Sequence, residues 1–280
     1  MTLIDQPRRV RAGEELDIAA VDAFLKTRLP GLSGQPEVRQ FPGGASNLTY
    51  LLTYPGQELI LRRPPFGKKA KGAHDMLREA HIMQALKPVY PCVPEVLAIG
   101  QDTAVMDADF YVMQRLVGVI PRQDFPPELA LTPEQTRALC LRVIDKLIEL
   151  HQVDVQAAGL SALGKGEGYV ARQISGWSER YRNARTPDVG DFEDVMAWLV
   201  ARQPATEVAI TLIHNDYRFD NVVLDPATLE VIGVLDWEMA TLGDPLMDLG
   251  NTLAYWVEAG DDPVFQQMRR QPTNAPGMLT

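Results

Sequence analysis

Three oxygen-bearing side chains, Asp216, Asn221 and Asp236, punctuate the segment 208–250, VAITLIHNDYRFDNVVLDPATLEVIGVLDWEMATLGDPLMDLG. An apolar strand runs into His214-Asn215-Asp216, and Asn221 stands at the start of VVL. The stretch DPATLE then turns the chain, and VIGVL returns it to Asp236. If the two apolar runs pair as a hairpin, Asn221 enters it and Asp236 leaves it at the same open end. An amide and a carboxylate brought together there, with Asp216 on the preceding loop, suit a hard, oxygen-seeking cation, above all Mg²⁺. Phosphate is the natural companion of that ion. Phosphoryl transfer needs a metal holder, a carboxylate near the attacking hydroxyl and a cation against the phosphate oxygens. This segment offers the first two.

The cation is expected upstream. Arg62 ends the run ELILR, and Glu79 shares a helical stripe with Met76, Met83 and Leu86. A carboxylate in an apolar stripe is costly unless paired, so Arg62 is its expected partner, a strand cation fixed by a helix acid and aimed at phosphate. Arg63 is the competing candidate. Alternation sets Leu59 and Leu61 opposite Ile60 and Arg62 and favours Arg62. Glu79 beside Arg78 also has a plainer reading as a solvated polar step. The GGASN turn at 43–47 offers backbone N–H groups to the same phosphates. Lys68, Lys69 and Lys71 read as a solvated loop rather than a phosphate patch. His151 is expected to make a cap or core hydrogen bond, and Trp237 and Trp256 are expected to pack.

Several elements must position these groups. Ile18, Val21, Leu25 and Leu29 predict a lead-in helix over 17–29, stopped by Pro30-Gly31. VRQF, LTYLLTY and ELILR predict three strands with two turns, an antiparallel start. A helix near 74–87 and two further strands, VPEVLAIG and DFYVMQRL, complete a small sheet with one helix. After Leu116-Val117-Gly118 the Pro-rich IPRQDFPPEL leads into long helices, so lobes at 1–115 and 116–280 are expected. Thr132, Pro133 and Gln135 carry a capping-box signature. Further helix is expected within 168–182 and 190–202.

Composition bounds the partners. Of 280 residues, 37 are acidic and 27 basic, a formal charge of -10, which argues against a surface built for nucleic-acid phosphates. Hydrophobic residues at 46% and charged residues at 23% fit a globular chain and exclude wholesale disorder. The two cysteines, Cys92 and Cys140, stand far apart, so neither a disulfide framework nor a structural zinc site is expected. No apolar run follows the charged N-terminal residues and none reaches about 18 residues, so no membrane partner is expected, and the expected location is cytoplasmic.

With His214-x-Asp216, Asn221 and Asp236, and a strand cation and helix Glu upstream, the chain resembles the aminoglycoside phosphotransferase and choline kinase family over roughly residues 17–256. GGASNLTY, LILRRPP, REAHIMQAL and LGDPLMDLG further resemble the branch fused to certain acyl-CoA dehydrogenases. The resemblance implies an α+β, two-lobed, protein-kinase-like fold, with a small antiparallel-sheet N-lobe carrying one helix and a mainly helical C-lobe. It implies ATP and Mg²⁺ as cofactors. Asp216 becomes the base or hydroxyl-orienting carboxylate, His214 braces its loop, and Asn221 and Asp236 hold the metal. Arg62 meets the α/β-phosphates with Glu79 orienting it, and Ser46 and Asn47 belong to the nucleotide-covering loop. Backbone groups near Gln114 and Leu116 meet adenine, and Asp244 and Asp248 support the catalytic loop.

The chain departs from the wider pattern in three ways. The strand cation is Arg, not Lys; the nucleotide loop has one Gly-Gly pair and no G-x-G-x-x-G; and relatives continue past NAPGMLT with helices that wall the acceptor site. The expected function is ATP- and Mg²⁺-dependent phosphorylation of a small-molecule hydroxyl, with a hydroxyacyl thioester ranked ahead of an aminosugar or amino alcohol. A non-catalytic nucleotide-binding module and a metal-dependent phosphoester hydrolase are the competing classes. Oligomeric state is not legible.

Overall fold

The computed structural model describes residues 3–42, 47–67 and 74–280. Two compact units make up the chain. The first comprises the chain up to Lys146 with Arg218–Glu238 and Tyr255–Thr280, and the second Leu147–Tyr217 with Met239–Ala254. This is a partition by compactness, a different property from lobes at 1–115 and 116–280.

In the first unit, β1 (Glu37–Gln40), β2 (Leu48–Tyr54), β3 (Gln57–Arg63), β4 (Val96–Gly100) and β5 (Phe110–Gln114) form an antiparallel sheet in the order β1-β2-β3-β5-β4. These are the five strands expected from the alternating runs. One face of the sheet carries Tyr50, Leu52, Leu59, Leu61, Phe110 and Val112 into a core shared with Val21 and Leu25 of α1 (Ile18–Arg28). Asp17 caps α1 by accepting from Ala20 N at 3.0 Å. Side chains alternate across a strand, so Ile60, Arg62, Tyr111 and Met113 belong to the opposite face. Against β4 and β5 lies α2 (Met76–Leu86), which buries Met76, Glu79, Ala80, Ile82, Met83 and Leu86. Asp75 caps it by accepting from Arg78 N at 2.9 Å.

A second sheet of this unit is the short hairpin of β7 (Val222–Leu224) and β8 (Val231–Val234), antiparallel, with Val222 opposite Val234. The expected turn forms because Asp225 Oδ1 accepts from the backbone of Ala227 and Thr228 and from the Thr228 hydroxyl. Val119 exchanges two 2.8 Å backbone bonds with Leu224, so the segment after β5 runs alongside β7. The approach is close at Gly233, where a Cβ would stand 2.2 Å from Leu116 Cδ1. Any larger residue there must displace Leu116 or the hairpin.

The long helix α3 (Pro133–His151) opens on the expected capping box. Gln135 N donates to Thr132 Oγ1 at 3.3 Å, and Thr132 N donates to Gln135 Oε1 at 2.8 Å. Thr132→Ala is expected to lower stability by about 1 kcal/mol, read from denaturant unfolding; no change would show that water caps this end equally well.

The second unit contains α4 (Tyr169–Ala184), α5 (Glu193–Arg202), β6 (Thr211–Ile213), β9 (Thr241–Gly243) and α6 (Pro245–Ala254). β6 pairs antiparallel with β9, Leu212 opposite Leu242. The three-residue β9 carries no sequence signal of its own. Back in the first unit, α7 (Pro263–Met268) lies near the end of the described chain. No helix among the described residues is long and apolar enough to cross a membrane.

Candidate functional site

Strand pairing fixes the first group. Arg62 stands opposite Tyr111 in the β3–β5 register, on the face covered by α2. Its guanidinium NH1 donates to Glu79 Oε1 at 2.6 Å and NH2 to Asp236 Oδ1 at 3.0 Å. Arg62 thus bridges a helix acid and the residue that leaves the β7–β8 hairpin. Arg63 points to the other face, where its NH2 donates to Asp107 Oδ1 at 2.8 Å and its guanidinium lies over the Phe66 ring at 3.7 Å. Alternation along ELILR is what separates the two arginines.

Burial makes the pair electrostatically demanding. Glu79 is fully buried, and the side chain of Arg62 is 10% exposed. Burial pushes the Glu79 carboxyl up to about 7, against the pull of Arg62. Burial also works against the charge of Arg62, but Glu79, Tyr111 and Asp236 outweigh it and hold the guanidinium well above its ordinary value. The buried Tyr111 hydroxyl is raised by burial, with Arg62 pulling the other way. Breaking a buried pair costs about 3–5 kcal/mol when one charge is left behind.

Arg62→Ala is expected to show that loss with a pH dependence. Glu79 keeps the burial that raises its pKa and loses the cation that lowers it. The folded chain then holds a proton that the unfolded carboxyl has released above about 4.3, so stability falls as pH rises through that window. Unfolding free energies at pH 5 and pH 8 should show the larger loss at pH 8. Equal losses would contradict an uncompensated Glu79.

The hairpin supplies the second group. Leu235 N donates to Asn221 O at 2.8 Å, extending the ladder past Val222–Val234 and setting Asn221 and Asp236 at one end. Asn221 is buried, whereas the Asp236 side chain is 31% exposed. Asp236 holds a left-handed backbone, φ 68°, a strained state for a non-glycine residue that Asp tolerates better than most. Among the described residues no cluster of three or more His, Cys, Asp or Glu could hold a metal by itself. One carboxylate and one amide oxygen nevertheless fit Mg²⁺, which commonly takes one or two protein oxygens and fills its octahedron with phosphate and water.

In the second unit, β6 delivers His214, Asn215 and Asp216. His214 is fully buried; its Nδ1 accepts from Asp216 N at 3.2 Å, and its N–H donates to Asp248 Oδ2 at 2.8 Å. Asn215, at φ 64°, donates its N–H to Asp248 Oδ1 at 2.8 Å. Asp248, buried on α6, also accepts from His151 Nε2 at 2.9 Å. Two backbone N–H groups and one imidazole on a single carboxylate hold the stretch that leads into Asp216. Asp244 caps α6 through Leu246 N at 2.8 Å and accepts from Val208 N at 3.1 Å.

The remaining candidates are placed less simply. Ser46, with Gly43, Gly44 and Ala45, lies outside the described residues, as do Lys68, Lys69 and Lys71. The Asn47 side chain turns inward, its Nδ2 donating to Glu238 Oε2 at 2.9 Å and its Oδ1 meeting His74 Nδ1 at 3.0 Å. Arg78 NH1 reaches Glu238 O at 3.0 Å. Gln114 gives its N–H to Glu95 O at 2.8 Å, and Leu116 packs on Gly233. Trp237 is buried as expected, donating Nε1–H to Val234 O at 2.9 Å, and Trp256 donates to Leu279 O at 3.0 Å. Glu238, His74 and Tyr111 escaped the sequence reading. Only the position of Glu238, two past Asp236, and of Tyr111, on the Arg62 face, gave any signal.

Three comparisons bear on this arrangement. A sequence model of the phosphotransferase enzyme family matches residues 37–278. Acyl-CoA dehydrogenase family member 11 of Gallus gallus is 36% identical over 251 residues, 88% of this chain and 32% of that protein. Acyl-CoA dehydrogenase family member 10 of Mus musculus is 34% identical over 279 residues, 99% of this chain and 26% of that protein. The chain thus spans about a quarter to a third of the length of these relatives. Among solved structures, a Ralstonia eutropha protein described as a candidate aminoglycoside phosphotransferase superposes with a TM-score of 0.74 at 32% identity, covering 86% of this chain and 70% of that one. The GDP complex of aminoglycoside 2'-phosphotransferase-IIIa reaches 0.61 at 20% identity, covering 85% and 78%, a likeness of fold alone. These neighbours share the α+β, kinase-like fold. With a matching family model across most of its length, a Glu-held strand arginine and a hairpin that ends on Asn221 and Asp236, the chain belongs to the phosphotransferase enzyme family.

Proposed function

We propose that the protein transfers the γ-phosphoryl group of ATP to the hydroxyl of a small molecule, with residues 1–115 as the nucleotide-binding lobe and 116–280 as the helical lobe carrying the catalytic loop. The observation that supports this best is the strand cation Arg62, fixed at 2.6 Å by Glu79 and standing 3.0 Å from Asp236. A hydrolase has no need of that paired cation, and a non-catalytic module has no need of Asp216.

Arg62 neutralises charge on the α/β-phosphates, and Glu79 keeps its guanidinium from swinging away. Ser46 and Asn47 are assigned to the phosphates of the nucleotide, and the backbone around Gln114 to Leu116 receives the adenine. Asn221 and Asp236 hold Mg²⁺. When bound, that ion screens the phosphate oxygens and aligns the transferred group. Asp216 accepts or orients the hydroxyl proton of the acceptor, and His214 with Asp248 keeps the Asp216 backbone in place.

For the acceptor we favour a hydroxyacyl thioester. The relatives that cover nearly this whole chain bear the names of acyl-CoA dehydrogenases, and a kinase segment in such a polypeptide meets acyl thioesters at high effective concentration. An aminosugar is the second reading, supported by the Ralstonia eutropha neighbour. Cytoplasmic location accompanies either acceptor. The test is transfer of label from [γ-³²P]ATP with Mg²⁺ to hydroxyacyl-CoA thioesters, aminosugars and amino alcohols. Labelled phospho-thioester as the main product supports the reading; label on the aminosugar alone replaces the acceptor, and release of free phosphate alone removes the kinase assignment.

A further inference from the structure

Arg62 makes two ion pairs with one guanidinium, and one of them falls on the carboxylate assigned to the metal. NH1 takes Glu79 Oε1 and NH2 takes Asp236 Oδ1, so the two forked nitrogens join the helix acid to the end of the hairpin. A lysine ammonium is a compact point charge on a flexible stem; the planar guanidinium is suited to bridging two carboxylates set apart in this way. We infer that Arg62 is a stand-in cation that competes with the divalent ion for Asp236, so that metal enters this site together with nucleotide and binds weakly without it.

The argument is electrostatic. Arg62 is 10% exposed and its charge is held by the buried Glu79, so it has no low-cost route into water. An ion bound to Asp236 would face a fixed positive charge 3.0 Å from the same carboxylate oxygen, in surroundings where charges are poorly screened. A triphosphate changes both sides of that competition. Its anionic oxygens accept from the NH2 that Asp236 now receives, and they add ligands to the ion, so Asp236 is released as the metal arrives. Asp236, 31% exposed, is the reachable end of the bridge, and Glu79, fully buried, is the fixed end. Metal and nucleotide then raise each other's affinity by the same factor, as linkage requires. This inference rests on the metal role of Asn221 and Asp236 proposed above.

The test measures binding, not turnover. Mn²⁺ replaces Mg²⁺ as a paramagnetic probe, with free Mn²⁺ read by EPR, with and without a non-hydrolysable ATP analogue, and the Mn²⁺ that the analogue holds by itself is subtracted with a protein-free control. The chains are wild type, Arg62→Gln, Arg62→Lys and the double variant Arg62→Gln/Glu79→Gln, which removes any pull of an unpaired Glu79 on the ion. Without nucleotide, the double variant should bind Mn²⁺ on the order of tenfold more tightly than wild type, within the usual range of coupling between sites. Arg62→Lys should fall between them. In wild type the analogue should tighten Mn²⁺ binding by a comparable factor, and in the double variant that gain should shrink. Equal or weaker nucleotide-free binding in the double variant overturns the inference. If the glutamine variants do not fold, Arg62→Lys decides alone: tighter than wild type supports competition, and equal affinity contradicts it. Failure of the underlying reading looks different, because Mn²⁺ would then bind no better with the analogue in any chain and Asp236→Asn would change nothing.

Discussion

Asp216→Asn is expected to lower kcat by about 10²- to 10⁴-fold and to leave KM for ATP nearly unchanged, the signature of a group needed in the transition state rather than for binding. The substitution suits the question because it keeps size and shape. The backbone of residue 216 is held by its own N–H to His214 Nδ1 at 3.2 Å and, one and two residues earlier, by Asp248. An asparagine there retains that frame and loses only the capacity to take a proton. Thermal melting of the variant should match wild type, which separates loss of the carboxylate from loss of the loop. Turnover within a few-fold of wild type would remove Asp216 from the chemistry.

Asp236→Asn is expected to reduce kcat/KM by about 10³-fold, because metal screening of a transferring phosphoryl group is worth several kcal/mol and each 1.36 kcal/mol is a factor of ten. Asparagine is the informative replacement. Residue 236 sits at φ 68°, a left-handed backbone that asparagine adopts at lower cost than alanine, so strain obscures the result less. An amide remains an oxygen ligand but has no charge, and excess Mg²⁺ should restore part of the loss. Asn221→Ala should cost less, since it removes a neutral ligand. A loss in Asp236→Asn that no Mg²⁺ concentration relieves, with unchanged Mg²⁺ dependence, would mean that Asp236 serves Arg62 and not the metal.

Periodicity explains which parts of this arrangement could be read in advance. The separation of Arg62 from Arg63 follows from strand alternation, and burial of Glu79 from its place in the α2 stripe. Closure of the hairpin followed from two apolar runs around Asp225, whose side chain folds the turn. By contrast, β9 is three residues long and gains its pairing only from β6, a non-local partner that no local pattern announces. The inward turn of Asn47 was equally hidden, because Glu238 lies far along the chain. The supporting place that the resemblance implies for Asp248 takes the form of two backbone bonds, to residues 214 and 215, which no local pattern announces. Local pattern reports which face a residue takes; the partner on that face is set by tertiary packing.

The most direct measurement is binding of Mn²⁺ together with a non-hydrolysable ATP analogue to wild type, Asn221→Ala and Asp236→Asn. One saturable ion per chain is predicted in wild type, with affinity falling on the order of a hundredfold in Asp236→Asn and less in Asn221→Ala. Indistinguishable affinity in all three chains would show that the end of the hairpin does not hold the ion, and the phosphotransfer chemistry assigned to it would have no metal site.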